Sequence, residues 1–319
     1  MFGGIDVGGT NIKFGIIDSD GKIVWQDSMP TNAHLGKETV IATLKNITVQ
    51  LHEQHVGLQS VGIGFPSVVN PQNKCVYYPP NMPGWDVVPL QEILQQSLAV
   101  PVAIDNDANV AGLAESAFGA GRNDSHFLYV TLGTGVGGAI IIDKKLFTGE
   151  RGGAGEIGHV IVNAFTEPTD EQRNSGRSFR AGVLEEYIGR NGLITMAKHI
   201  AAEHPNSMLH AYGDDLDVHH ISESAHTNDI AALQTLQQTG KLLGLGIASV
   251  LAVLDMRVVI VGGGISQSHD ILLQTTHQTL QQRALQTIAP EVVVRKAHFT
   301  NHAGIVGAAV LGKQSIQNL

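Results

Sequence analysis

One cysteine in 319 residues, Cys75, excludes an internal disulfide and suits a reducing compartment. Charge is scarce too, at 15% of residues, and cations fall short of anions, so the chain carries a net −9. That balance excludes nucleic acid and an anionic membrane as main partners, because both demand a basic face. Long apolar runs are missing. The longest, Leu242 to Leu254, is too short to span a bilayer and is expected to be a buried helix. No basic segment precedes an apolar one at Met1-Phe2-Gly3, which leads straight into a strand. A signal peptide is therefore not expected. These absences point to a soluble, cytoplasmic protein.

What is present supports large cores. Hydrophobic residues make up 43%, and the length allows one large domain or two. The 37 glycines imply many tight turns and close backbone approaches. Fifteen histidines are many, yet His199, His204, His210, His219, His220 and His226 sit in polar surroundings without ligand spacing. They read as surface residues.

Phe2 to Val7 reads as a strand, Gly8-Gly9-Thr10 as a turn, and Asn11 to Ile17 and Lys22 to Asp27 as two more strands. Alone this reads first as a plain hairpin turn, although a glycine-rich turn also presents bare backbone N–H groups that suit a phosphate. No Gly-Lys-Ser/Thr follows, so this is not a Walker loop. A helix over Lys37 to Gln54, a strand over Ser60 to Gly64 and a Pro/Asn-rich loop from Asn70 to Pro89 come next. Trp85 in that loop either stacks on a sugar ring or plugs an apolar gap. Val87 to Ser97 reads as helical.

The chain then repeats itself. Shifted by 125 positions, Gly8 falls on Gly133 and Ile16-Ile17-Asp18 on Ile141-Ile142-Asp143. Two equivalent glycine turns, the second over Gly133 to Gly138, mark a duplicated unit. A third glycine cluster, Gly149 to Gly158, ends in Glu156-Ile-Gly-His159 before an expected strand, Val160 to Val162. Thr166 to Arg180 reads as an exposed loop, and a helix opens near Glu185. Glu203 to Asp229 is a polar interlude, and Ile230 to Leu254 a long helix with small residues. A strand over Val258 to Val261 breaks at Gly262-Gly263-Gly264, whose bare backbone suits a nucleoside. A helix over Asp270 to Gln282, a strand at Val292 to Val294 and a closing helix from Ala303 complete the pattern.

The stretch that organises the chain is Ala103-Ile-Asp-Asn-Asp-Ala-Asn109. A buried strand ends in polar residues that open an Ala-rich helix. Ligands in α/β proteins gather at such carboxyl ends of strands. The same residues are also what a helix N-cap requires, so Asn106 and Asp107 carry both readings.

Taken together, the motifs resemble the ROK family of sugar kinases and repressors, in the actin/hexokinase superfamily. They are Asp6-Val-Gly-Gly-Thr10-Asn-Ile-Lys13, Gly62-Ile-Gly-Phe-Pro66, Asn106-Asp107-Ala-Asn109, Gly133 to Gly138, Gly155-Glu156-Ile-Gly-His159 and Val261 to Gly264. The bacterial glucokinase branch is most similar, through Asn81-Met-Pro-Gly-Trp85. The resemblance implies a two-lobed actin-like (ribonuclease H-like) α/β fold, with duplicated βββαβα-type lobes around a cleft. The small lobe would span residues 1–108, joined by a C-terminal helix at 302–319, and the large lobe residues 109–301.

By the same resemblance Asp107 is the general base, and Gly64, Pro66, Asn81, Asn106, Glu156, His159 and Glu185 surround a hexose. Gly8, Gly9, Thr10, Asn11, Lys13, Gly133, Thr134, Gly135 and Gly137 would hold the phosphates of ATP, and Gly262, Gly263 and Gly264 its nucleoside. Asp6 would orient hydrated Mg²⁺. The implied protein is an ATP-dependent hexose kinase, foremost a glucokinase, active as a homodimer. N-acetylmannosamine, N-acetylglucosamine, mannose and fructose are the alternative acceptors, and polyphosphate the alternative donor. A transcription regulator is the weaker reading, because Asp6 already lies in the catalytic lobe. One departure stands out. The family's Cys-x-Cys-Gly-x-x-Gly-Cys zinc motif is replaced here, with Gly176, Ser178 and Val183 at cysteine positions. No structural zinc is expected.

Overall fold

The computed structural model describes residues 1–79, 82–174 and 181–317, and of residues 171 and 172 only the backbone course. Asn81, Gly176 and Ser178 lie outside the described residues. The chain forms two compact units. One comprises Met1–Ser125, Ala139–Gly155 and the residues from His298; the other comprises His126–Gly138 and Glu156–Ala297.

The first half of the chain runs β1 (Phe2–Val7), β2 (Asn11–Ile17), β3 (Ile23–Pro30), α1 (Lys37–Gln54), β4 (Val61–Phe65), β5 (Val68–Val69), β6 (Val76–Tyr77), β7 (Val87–Val88), α2 (Leu90–Gln95), β8 (Val102–Asn106) and α3 (Asp107–Ala117). Its main sheet has the order β3-β2-β1-β4-β8. The meander β1-β2-β3 is antiparallel, and β1, β4 and β8 are parallel. Helix α1 forms because Val40, Leu44, Ile47 and Leu51 recur at helical spacing and are all buried. The closing helix, Ala303–Gln317, lies on β1, β4 and α3. Small residues permit that approach: a Cβ on Gly62 would collide with the Ala308 carbonyl.

Two expectations for this half need correction. The helix expected over Val87 to Ser97 is shorter, since Val87 and Val88 pair with β6 and the helix starts only at Leu90. Pro89 explains the break, because the residue before a proline is forced extended. The Asn70 to Pro89 loop is also not structureless; β5, β6 and β7 make a small antiparallel sheet. Their two-residue strands carry no periodic signal.

The second half runs β9 (Phe127–Leu132), β10 (Val136–Ile142), β11 (Lys145–Phe147), α4 (Asp170–Asn174), α5 (Leu184–Ile188), α6 (Arg190–Ala202), α7 (Val218–His226), α8 (Ile230–Leu254), β12 (Val258–Gly262), α9 (Asp270–Arg283) and β13 (Val293–Lys296). The sheet order β11-β10-β9-β12-β13 repeats the order of the first sheet. A shift of 125 positions carries the bounds of β1 and β2 onto those of β9 and β10.

The Leu242 to Leu254 run is the end of the 25-residue helix α8, which by length and composition could cross a membrane. It is instead a core helix, packed on α9, α6 and α5, with residues such as Leu236, Leu243 and Leu251 fully buried. The strand expected at Val160 to Val162 is absent. Ile161 makes one isolated bridge to Val183, and the N–H groups of Val162 and Asn163 both bend onto the Gly182 carbonyl. The polar interlude from Glu203 to Asp229 is ordered by 3-10 turns at Met208–Asp215 and by α7. Helix α7 starts with a capping box in which Asp217 N–H donates to His220 Nδ1 at 3.1 Å.

Candidate active site

Register across the first sheet aligns Asp6 with Gly64 and Gly64 with Asp105, one row on three adjacent parallel strands. The row lies at the carboxyl ends, where α/β proteins bind ligands. Gly64 has no room for a side chain, because a Cβ would sit 2.6 Å from Val110 Cγ2. Phe65 pairs with Asn106 one step on, and α3 begins at Asp107.

Asn106 is the cap of α3. Its Oδ1 accepts from Ala108 N at 2.9 Å and Asn109 N at 3.2 Å, while its Nδ2 donates to the Ser67 carbonyl at 3.2 Å. Most of its side chain is thus engaged in holding β8, α3 and the Ser67 turn together. Asp107 is half-buried in the first turn of α3, where Oδ1 accepts from Ala108 N at 2.8 Å. The helix dipole favours an anion there. Asn106 is thus the N-cap residue, and Asp107 shares the Ala108 N–H with it.

Asp105, not among the expected site residues, is buried beneath them. Burial pushes its carboxyl pKa up, against the opposing effect of donors from Asn109 Nδ2 and Asn106 N and of the Lys74 charge. Asn109 Oδ1 is buried with no partner among the described residues. An Asp followed four positions later by Asn at a helix start was the available signal.

Asp6 is half-buried opposite Lys13 on β2. Burial raises its pKa and the Lys13 charge offsets part of the shift. A Cβ on Gly304 of the closing helix would strike the Asp6 carboxyl, so this carboxylate has a bare backbone against it. Beyond it the turn closes through Gly8 N–H to Asn11 O at 3.0 Å. Thr31 anchors it, its Oγ1 donating to Gly8 O at 2.6 Å and its N–H to Thr10 O at 2.9 Å. Gly9, Thr10, Asn11 and Lys13 are exposed.

The second turn closes differently, with Gly133 N–H donating to Gly135 O at 3.0 Å. Glu185 Oε2 accepts from Val136 N at 2.9 Å, and Arg190 N–H donates to the carbonyls of Gly133 and Thr134 at 3.1 and 3.2 Å. Glu156 and His159 are exposed at the two ends of a 3-10 turn, in which His159 N–H donates to Glu156 O at 3.0 Å. That turn packs on α5. The second unit therefore brings Glu156, His159 and Glu185 into neighbouring elements.

Of the three glycines that end β12 and follow it, Gly262 and Gly263 are required by packing. A Cβ on Gly262 would lie 2.7 Å from Tyr129 Oη, and Gly263 has φ 83° and would collide with Leu132. Gly264 is exposed and meets nothing. Pro66 is half-buried beside the Ser67 turn. Trp85 is buried in the first core, its ring centroid 5.1 Å from that of Phe65. It plugs the apolar gap, and its indole is not presented to a ligand.

The described residues around Val183 are held by hydrogen bonds. Gly182 N–H donates to Glu186 Oε2 at 2.7 Å, Asn163 Nδ2 to Tyr187 Oη at 3.3 Å, and Thr166 Oγ1 lies 2.9 Å from the same Oη. Val183 offers no donor atom to a metal, and no cluster of three or more His, Cys, Asp or Glu suits one among the described residues.

A family model for the ROK family matches residues 2–315. A glucokinase of Halalkalibacterium halodurans is 32% identical, over 98% of this chain and 94% of its own. The xylose repressor of Bacillus subtilis is 28% identical, over 95% of this chain and 74% of its own. A ROK family glucokinase from Streptomyces griseus, solved in complex with glucose and AMPPNP, matches with a TM-score of 0.81 at 30% identity, over 98% of this chain and 99% of that one. The expected two-lobed, actin-like α/β architecture is the fold found. With a family model spanning almost its whole length, the chain belongs to the ROK family.

Proposed function

We propose that this chain, a sugar kinase of the ROK family, transfers the terminal phosphoryl group of ATP to glucose, with Asp107 as general base. The observation that carries the role of Asp107 is the division of labour at the start of α3. Asn106 is the N-cap residue, and Asp107 stands beside it in the first turn, a half-buried carboxylate at the carboxyl end of the parallel strands. A sugar hydroxyl is a poor nucleophile, and a carboxylate within hydrogen-bond reach takes its proton as the new P–O bond forms. Phosphoryl transfer otherwise asks for positioning and charge neutralisation.

On this reading Gly64, Pro66, Asn81 and Asn106 belong to the sugar side in the first unit, and Glu156, His159 and Glu185 in the second. Asn106 has only part of its amide left for a hydroxyl. The turns at Gly8 to Lys13 and Gly133 to Gly137 serve the phosphates, and Gly264 the nucleoside. Asp6 fits Mg²⁺, which keeps several waters and takes one or two carboxylates; a cation beside it would offset the burial that disfavours its charge. Bound Mg²⁺ would neutralise phosphate charge. The lone cysteine fits a cytoplasmic enzyme, and sedimentation of the purified protein would test the homodimer.

The glucokinase of Halalkalibacterium halodurans and the glucose complex support glucose as acceptor. A coupled ADP-release assay over glucose, mannose, fructose, N-acetylglucosamine and N-acetylmannosamine tests it. Glucose should give the highest kcat/KM. An N-acetylhexosamine ahead by tenfold would overturn the acceptor, and no ADP release with any sugar would favour a regulator, as in the related xylose repressor.

A further inference from the structure

We propose that Glu185 is a positioning residue for the phosphate donor, whose carboxylate braces the glycine turn Gly133–Val136 before any sugar binds. Only the identity of the ligand rests on the kinase reading.

The brace is visible atom by atom. Glu185 Oε2 accepts from the N–H of Val136, the residue on which the turn re-enters β10, at 2.9 Å. Gly135 lies directly beneath the same carboxylate, where a Cβ would collide with Oε2. Beyond Glu185 the chain turns back: Gly189 N–H donates to Glu185 O at 2.9 Å, and Arg190 N–H then reaches the carbonyls of Gly133 and Thr134. The α5–α6 junction thus grips the turn at both ends.

The carboxylate also faces the other cluster. A Cβ on Gly158, in the Glu156–His159 turn, would meet Glu185 Cβ at 3.3 Å and collide with the Val136 carbonyl. Glu185 therefore stands between the turn read as phosphate-binding and the turn that carries Glu156 and His159. The first glycine turn needs no such charge, because the uncharged Thr31 holds Gly8 and Thr10.

A glycine-rich turn without a brace would lose its backbone freedom only on binding, at a cost in affinity. A negative charge near phosphates is unfavourable in itself, so the useful property of Glu185 here is its acceptor oxygen. Glutamine would supply that oxygen without the charge; alanine would not.

The test uses the full chain with Mg²⁺ and ADP, without sugar, in titration calorimetry of wild type, Glu185→Ala and Glu185→Gln, with exchange of the Val136 amide followed by NMR. We expect Glu185→Ala to weaken ADP binding about tenfold and to speed Val136 exchange. Glu185→Gln should stay within about threefold of wild type, with the Val136 amide still protected. Should Glu185→Ala fail to fold, Glu185→Asp, whose shorter side chain withdraws the acceptor from Val136, takes its place with the same expected outcome. ADP affinity unchanged in Glu185→Ala although Val136 exchange quickens, or lost in Glu185→Gln while Val136 stays protected, would overturn the brace. A parallel glucose titration separates the two roles: a weaker glucose affinity with ADP affinity unchanged would likewise overturn the brace and leave Glu185 a sugar contact alone. Failure of the wild type to phosphorylate any sugar would instead count against the kinase reading, while Val136 exchange would still report on the brace.

Discussion

Gly9, Gly133 and Gly264 are glycine where neither conformation nor packing asks for it. None has the positive φ that disfavours other residues, and a Cβ on any of them would meet nothing within 4 Å. Gly153 shares this property. On the proposed reading, the bare backbone at the first three lets the nucleotide approach closely. Alanine at Gly9, Gly133 or Gly264 should leave the melting temperature within a degree or two, since surface changes away from special features stay within about ±0.5 kcal/mol. ATP binding should weaken severalfold in each. Equal loss of stability and binding would show that these glycines serve the fold. This distinction was closed to the sequence, in which Gly262 and Gly263 look the same as Gly264. Asp105 was hidden similarly, since nothing in Asp105-Asn106-Asp107 reveals which acid is buried and which half-exposed.

Among the elements, the closing helix and α3 depend on one buried acid. Glu115 is fully buried, and its carboxylate accepts from Ala120 N at 2.7 Å, His298 N at 3.1 Å and Phe299 N at 2.8 Å, tying α3 to the segment that leads into the closing helix. Glu115→Gln would point an NH₂ at N–H donors. Unsatisfied buried groups cost about 1–3 kcal/mol each, so the urea midpoint should fall by a corresponding amount. An unchanged midpoint would mean that the donors find other acceptors. Within an Ala-rich helix nothing in the sequence pattern marks this glutamate as buried. By contrast β1, β2 and α1 were legible to the residue, because glycine turns and apolar spacing bound them on both sides. The Val160 to Val162 stretch misled because three apolar residues imitate a strand. Their backbone goes to Gly182, and Tyr187 and Glu186 hold Asn163 and Gly182.

For the whole molecule, the duplication was the most reliable sequence signal. The 125-residue shift reproduces two strands in each half, and both sheets share one strand order. The halves diverge where their chemistry differs. The first turn is anchored by a threonine and lies beside Asp6; the second is anchored by a glutamate and a backbone N–H from α6. Only the first sheet leads into the Asp105-Asn106-Asp107 sequence. On the proposed reading both turns serve ATP, and the single base comes from the first half. The most direct measurement is steady-state ADP release with glucose by Asp107→Asn, beside wild type. Since Asn106 caps α3, the variant should fold, keep its melting temperature and bind glucose. Its turnover should fall by roughly 10²–10⁴, the usual worth of a positioned base. Turnover above a tenth of wild type, in a folded variant that binds glucose, would contradict the assignment of Asp107 as the base.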